Sequence, residues 1–219
     1  MLKPYYNSGG ITIYHARCEH VVPFLDRADL VLTDPPYGIG EARAGNVTRG
    51  CLAKSRDYGS AEWDDEPPPR WILDQVRDCA TWNVIFGGNY FDLPPATCWL
   101  VWDKDNGATD FADCELAWTN LKKAVRRIRY RWQGMLQEHA GTKKESRVHP
   151  TQKPLAVMRW CIAQAPEEIT TILDPFAGSC TTAVAAKLLG KRCVCIEAEE
   201  EYCKAGVNRL RQGVLDFTD

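Results

Sequence analysis

The chain has 219 residues and a formal net charge of −2; 45% of its residues are hydrophobic, 10% aromatic and 26% charged. Such a composition builds a sizeable core in one domain carrying insertions and excludes disorder, collagen and coiled coil. No apolar run approaches the roughly 18–20 residues of a membrane span, and the first ten residues lack the basic-then-apolar order of a signal peptide, so a soluble, cytoplasmic protein is expected.

In chain order, short apolar runs at Ile11–Tyr14, Leu30–Leu32, Val84–Phe86, Cys98–Trp102, Thr171–Leu173 and Cys193–Ile196 suit strands buried on both faces of a parallel sheet. Helical stretches lie between them at Trp71–Ala80, Pro154–Ala165, Thr181–Leu189 and Glu199–Leu210, with Pro154 placed for a first turn and Gly190 for a C-cap. Strand alternating with helix predicts an α/β fold, a single domain over residues 1–219. Two stretches that break the rhythm, 38–70 and 122–148, are candidate substrate-contacting insertions; a shorter break falls at Leu93–Ala96.

Ten cysteines are spread along the chain without one Cys-x-x-Cys pair. Zinc ribbons and disulfide frameworks need closer spacing, so thiols in a reducing compartment are expected, and no metal. Charge is unevenly distributed: residues 122–147 carry a net +7, which leaves −9 for the rest. Within that segment Lys122, Lys123, Arg126, Arg127, Arg129 and Arg131 alternate with Val125, Ile128, Tyr130 and Trp132. One face can pack while the other meets phosphates, which makes the six basic residues candidates for nucleic-acid contact.

The run Ile172-Leu-Asp-Pro-Phe-Ala-Gly-Ser-Cys180 passes from an apolar strand into a helix through a small-residue turn. Gly178 lets the backbone approach a ligand, Ser179 can offer a hydroxyl at the helix start, and Asp174 at the strand end can accept from an ammonium group. The next strand ends in Glu197, 23 residues on, where nucleotide-binding βαβ units place an acid on ribose hydroxyls. Without Gly-x-Gly-x-x-Gly the pattern suits an adenosine ligand lacking phosphates, such as S-adenosylmethionine. Near the other end of the chain, a buried strand stops at Asp34-Pro-Pro-Tyr37, because two prolines cannot continue a central strand. The Asp34 carboxylate and the Pro35 carbonyl can accept both hydrogens of an amino group on a base ring, and Tyr37 offers a face on which an extruded base stacks.

Asp34-Pro-Pro-Tyr37, His149-Pro-Thr-Gln-Lys-Pro154 and Asp174-Pro-Phe-Ala-Gly-Ser179, in that order, resemble the β-type amino-methylating DNA methyltransferases (N6-adenine or N4-cytosine). The resemblance extends to Ile85-Phe-Gly-Gly-Asn-Tyr90, to Glu115-Leu-Ala-Trp118 and to Glu197, Tyr202 and Arg209; the overall look is that of short orphan enzymes of phages and prophages. It implies a circularly permuted class I S-adenosylmethionine-dependent fold, a Rossmann-like mixed sheet with helices on both faces, in which Ile11–Tyr14 follows Cys193–Ile196 in space. It implies that Phe176, Ala177, Gly178 and Ser179 line the cofactor beside Asp174 and Glu197, and that Lys153 lies near the cofactor's carboxylate. Asp34, Pro35, Pro36 and Tyr37 are the catalytic residues it implies, acting on the N6 amine of a flipped adenine in double-stranded DNA without a covalent intermediate. N4 of cytosine and an inactive DNA-binding relative are the alternatives, and homodimerisation is left open. The chain departs from the family pattern at Cys180, where Gly is usual, and at Ala16-Arg17, where a Gly-Asp-like pair is frequent. Cys180 is expected to be a small packing residue.

Overall fold

Alternate residues of a strand point to opposite faces, so a strand apolar throughout is a strand covered on both sides. In the computed structural model, which describes residues 2–39, 66–107, 112–133, 136–138, 145 and 152–212, Leu30, Leu32 and Ile172 belong to one buried cluster while Val31 and Leu173 belong to another. These clusters lie on the two faces of a nine-stranded sheet.

The strands are β1 (Tyr6–Ser8), β2 (Ile11–His15), β3 (Ala28–Thr33), β4 (Ala80–Phe86), β5 (Cys98–Asp103), β6 (Cys114–Thr119), β7 (Arg126–Arg129), β10 (Thr171–Asp174) and β11 (Arg192–Glu197). Their order across the sheet is β1-β2-β11-β10-β3-β4-β6-β5-β7, and a separate small ladder joins β8 (Trp132–Gln133) to β9 (Leu136–Gln137). Helices α2 (Leu155–Gln164), α3 (Thr181–Leu188) and α4 (Glu200–Arg211) cover one face with Val157, Cys161, Ala183, Ala186, Cys203 and Leu210. Helix α1 (Arg70–Asp78) and the short turns at Cys18–His20 and Val22–Phe24 cover the other with Ile72, Val76, Val21 and Val22.

Each of the six expected strands is present, and the expected permutation is seen in β2, which runs parallel beside β11 with Ile11 opposite Cys193. Strand β6 was not anticipated; it runs antiparallel between β4 and β5 and makes the sheet mixed. Most helix limits differ from those expected by one or two residues. Helix α1 starts at Arg70, inside the expected insertion, and stops at Asp78 because Ala80 already pairs with Ala28 in the sheet. Pro154, expected in a first turn, sits just before α2 with an extended ψ of 140°, and its carbonyl accepts the Met158 N–H at 3.1 Å. Residues 40–65 of the insertion 38–70, and most of 134–148, lie outside the described residues.

Strands β10 and β3 are parallel neighbours, yet the helix after β10 packs on one face and the helix after β3 on the other. The chain therefore diverges at their carboxyl ends, and a crevice of this kind is where open α/β sheets bind ligands.

Candidate active site

Asp174 closes β10 and Asp34 follows the last residue of β3. Thr33 Oγ1 donates to Asp174 Oδ1 at 2.7 Å and so ties the two strand ends together. Asp174 is 3% exposed and also accepts the Phe176 N–H at 3.3 Å and the Thr182 hydroxyl; burial pushes its pKa up to about 6. Glu197, at the end of β11, accepts N–H groups from Gly178 at 2.7 Å and Glu199 at 2.8 Å. Burial outweighs these bonds and pushes it up to about 7. Gly178 has φ +48°, a backbone state that side chains disfavour, and so turns its N–H onto Glu197.

Among the described residues no cation pairs with Asp174 or Glu197. Two covered carboxylates without a counter-charge, bridged by a loop carrying Phe176 and Ala177, fit a cationic ligand that also presents hydroxyls. S-adenosylmethionine has that chemistry: its ammonium and sulfonium suit Asp174 and its ribose diol suits Glu197.

One expectation for this loop changes. Ser179 is 3% exposed, and its Oγ accepts from Arg209 Nη1 at 3.1 Å, so the hydroxyl braces the loop instead of facing the crevice. Arg209 also holds the Ser179 carbonyl at 2.8 Å, Thr181 Oγ1 at 2.8 Å and Glu145 Oε1 at 2.9 Å. Cys180 adopts φ 57° and is buried, as expected for a packing residue. Gly206 of α4 makes room for it: a Cβ there would lie 2.5 Å from Cys180 Sγ. The other departure, Arg17, is exposed and paired with Glu19 at 2.6 Å.

The second carboxylate centre is built differently. Pro35 and Pro36 end β3, so the Asp34 side chain, 19% exposed, leaves the sheet at its carboxyl edge. Tyr37 donates its hydroxyl to Asp34 Oδ1 at 2.6 Å, and Lys153 donates to Asp34 Oδ2. Lys153 also lies 3.1 Å from Glu115 Oε2, and Glu115 Oε1 is 2.7 Å from Lys104. Burial opposes the Lys153 charge, but Asp34 and Glu115 hold its pKa above the ordinary lysine value. Burial, joined by the like charge of Glu115, raises Asp34, whereas Lys153 and Lys104 overcome burial and lower Glu115. Lys153, expected beside the cofactor, is thus part of the Asp34 centre. His149, Pro150 and Thr151 of the same motif lie outside the described residues.

Tyr37 stacks on Tyr90 with ring centroids 4.8 Å apart and planes at 17°. Gly87, at φ +68°, permits this placement, since a Cβ there would overlap the Tyr37 ring. Neither Glu115, Arg209 nor Gly87 carried a role in the sequence reading, although each falls in a stretch that the resemblance covered.

The basic segment is half as expected. Strand β7 is the sheet's last strand, with Ile128 and Tyr130 packed against the core and Trp132 buried, while Val125, expected to pack, is 54% exposed. The arginines are exposed but not all unpaired. Arg127 lies 3.6 Å from Asp103 and Arg129 2.7 Å from Asp105, and Arg131 also pairs with Asp105. Lys123 donates to the Gln164 carbonyl at 2.5 Å, Arg126 donates to the Val125 carbonyl at 3.2 Å, and Lys122 is exposed. A cavity of about 420 Å³ lined by Arg27, Asn83, Pro94, Trp118 and Asn120 lies near the amino ends of β3 and β4 and includes none of the two carboxylate centres. No helix among the described residues is long and apolar enough to cross a membrane.

Residues 99–208 match a family described as DNA methylase, covering both N6 and N4 methyltransferases. The chain is 27% identical over 259 residues to the Type II methyltransferase M2.LlaDCHI of Lactococcus lactis subsp. cremoris, spanning 97% of this chain and 94% of that one. It is 44% identical over 62 residues to the DNA adenine methyltransferase YhdJ of Escherichia coli (strain K12), a match to 28% of this chain and 21% of that one. In fold it resembles the crystal structure of the M1.HpyAVI–SAM complex, with a TM-score of 0.58 at 22% identity over 92% of this chain and 99% of that one. A crevice with two carboxylates that no described cation pairs, a proline-bounded Asp34–Tyr37 centre beside it and a family match over half the sequence converge on one conclusion: the chain belongs to the S-adenosylmethionine-dependent N6/N4 DNA methylase family.

Proposed function

We propose that the chain methylates the N6 amino group of an adenine extruded from double-stranded DNA. The lone pair of that amine is delocalised into the ring, which makes it a poor nucleophile until acceptors take its hydrogens. Asp34 supplies one acceptor and the Pro35 carbonyl the second, and Asp34 stabilises the positive charge that grows on nitrogen. Its raised pKa suits Asp34 to take the proton that the amine then sheds. The bound cofactor supplies a methyl carbon on a sulfonium. Tyr37 would hold the base by stacking, and extrusion frees the amine from the base stack so that Asp34 and Pro35 can reach it.

The observation that supports this reading best is the tie between Thr33 and Asp174, which holds the end of β3 that carries Asp34 against the end of β10. Adenine is favoured over cytosine by the Asp34 motif, by the stacking area of a purine on Tyr37, about 1–3 kcal/mol per base, and by the local likeness to an enzyme named for adenine. Every group named comes from one polypeptide, so a homodimer is not needed for the chemistry. Lys122, Arg126, Arg127, Arg129 and Arg131 would meet phosphates, with Lys123 held back at α2. Incubation with radiolabelled cofactor and unmethylated plasmid DNA, followed by hydrolysis to nucleosides, tests the reading. Label is expected in N6-methyladenine; label only in N4-methylcytosine overturns the base, and no label on any DNA overturns the activity.

A further inference from the structure

The amine of an incoming base meets a carboxylate that is already engaged on both oxygens, Oδ1 by the Tyr37 hydroxyl and Oδ2 by the Lys153 ammonium. Lys153 cannot simply withdraw. Its side chain is 7% exposed, enclosed by the faces of Phe86 at 5.2 Å and Tyr37 at 5.8 Å, and a buried ammonium without a counter-charge is strongly disfavoured. Glu115 offers it somewhere to go. Its Oε2 lies 3.1 Å from the Lys153 nitrogen, in an ion contact that is not aligned as a hydrogen bond, so acceptor capacity remains there. Behind it, Lys104 grips the other oxygen at 2.7 Å and reaches the protein surface.

Resting on the amino-methylation reading, we propose that Glu115 is a positioning residue: it shares the Lys153 ammonium with Asp34 and takes it over when the amine of the extruded base claims Oδ2. Lys104 sets how strongly Glu115 draws Lys153 away. The groups facing Asp34 are Lys153, Tyr37 and Glu115, with Asp174 across the crevice and Lys104 behind Glu115. Replacing Glu115 by glutamine removes a nearby negative charge and leaves Lys153 wholly on Asp34; both effects stabilise the ionised Asp34. Replacing Lys104 does the reverse, since Glu115 then draws more on Lys153.

Single-turnover methyl transfer to unmethylated plasmid DNA, followed across pH with labelled cofactor, reads this directly. Glu115→Gln is expected to lower the plateau rate about 10- to 100-fold and to move the acid limb to lower pH, with cofactor and DNA dissociation constants within about threefold of wild type. Lys104→Gln is expected to move the acid limb to higher pH, and Glu115→Asp to recover part of the rate. A fallen plateau with an unmoved limb in both variants, or limbs that move in the same direction, overturns the proposal. Should Glu115→Gln fail to fold in a thermal melt, Lys104→Gln decides alone, and an unmoved limb there is fatal. A wild-type protein that transfers no label to DNA refutes the amino-methylation reading itself, an outcome separable from any pattern among active variants.

Discussion

The two carboxylate centres share one edge of one sheet and are treated in opposite ways. Asp174 and Glu197 are covered, bonded to N–H and hydroxyl groups, and paired with no cation among the described residues. Asp34 and Glu115 are also largely covered but threaded by Lys153 and Lys104. On the proposed function, the difference follows the ligands. A cationic cofactor brings its own positive charge, and a protein cation on those carboxylates would compete with it. A neutral base brings none, so the carboxylate that receives it needs a resident cation to stay ionised in a covered site.

The largest effect that tests this contrast comes from Asp34→Ala, expected to lower the methyl-transfer rate by about 10³-fold while leaving cofactor affinity within about tenfold. An equal fall in cofactor affinity, measured by calorimetry, would show that the two centres are one. Lys153→Met should come next, destabilising the fold by about 3 kcal/mol at pH 8 because it strands two covered carboxylates. That loss should shrink as pH falls and they become protonated. A urea midpoint that is unchanged, or that falls further in acid, contradicts the pairing.

Glu197→Gln sharpens the cofactor side and should weaken S-adenosylmethionine binding about tenfold at pH 8, about 1.4 kcal/mol. A folded-state pKa raised to about 7 means that stability present at low pH is lost as pH rises through that value, so the cofactor-free wild type should melt lower at pH 8 than at pH 5 and the variant should lose part of this slope. Because the ribose diol and the positive cofactor favour the ionised form, wild-type affinity should rise with pH through about 7; a flat profile would move the ribose site elsewhere. The smallest effect is expected at the surface, where Arg129 is already neutralised by Asp105. Arg129→Ala should weaken binding to every DNA sequence by a few-fold and lower the salt slope by about one. A changed preference among sequences would mean that Arg129 reads a base edge.

Much of this was legible in the sequence because it is local. Apolar runs announce doubly covered strands, two prolines end a strand at Asp34, and a strand-turn-helix with an acid 23 residues later marks the cofactor edge. What escaped depends on pairing across long separations. Nothing near Lys153 points to Asp34, 119 residues away. The direction of β6 was equally hidden, since a strand of Cys114–Thr119 has the same composition whether it runs up or down. Likewise the basic segment looked stronger than it is, because Asp103 and Asp105 that neutralise it belong to a different strand and its end. That Cys180 packs was expected, but not that Gly206, contributed by another helix, yields the space for it.

Strand β2 sits between β1 and β11, and β11 is made some 180 residues later in synthesis. While the ribosome is still adding the middle of the chain, the nascent polypeptide already carries Asp34 and Tyr37 but has neither Asp174 nor Glu197. Its amino-terminal hairpin must wait with one long apolar edge unpaired, a state that slows folding and invites sticking to other chains. The permuted order of motifs therefore delays assembly of the cofactor crevice until β10 and β11 have emerged. Methylating capacity arrives all at once, with the insertion of β10 and β11 into the middle of a sheet whose two flanks were laid down beforehand.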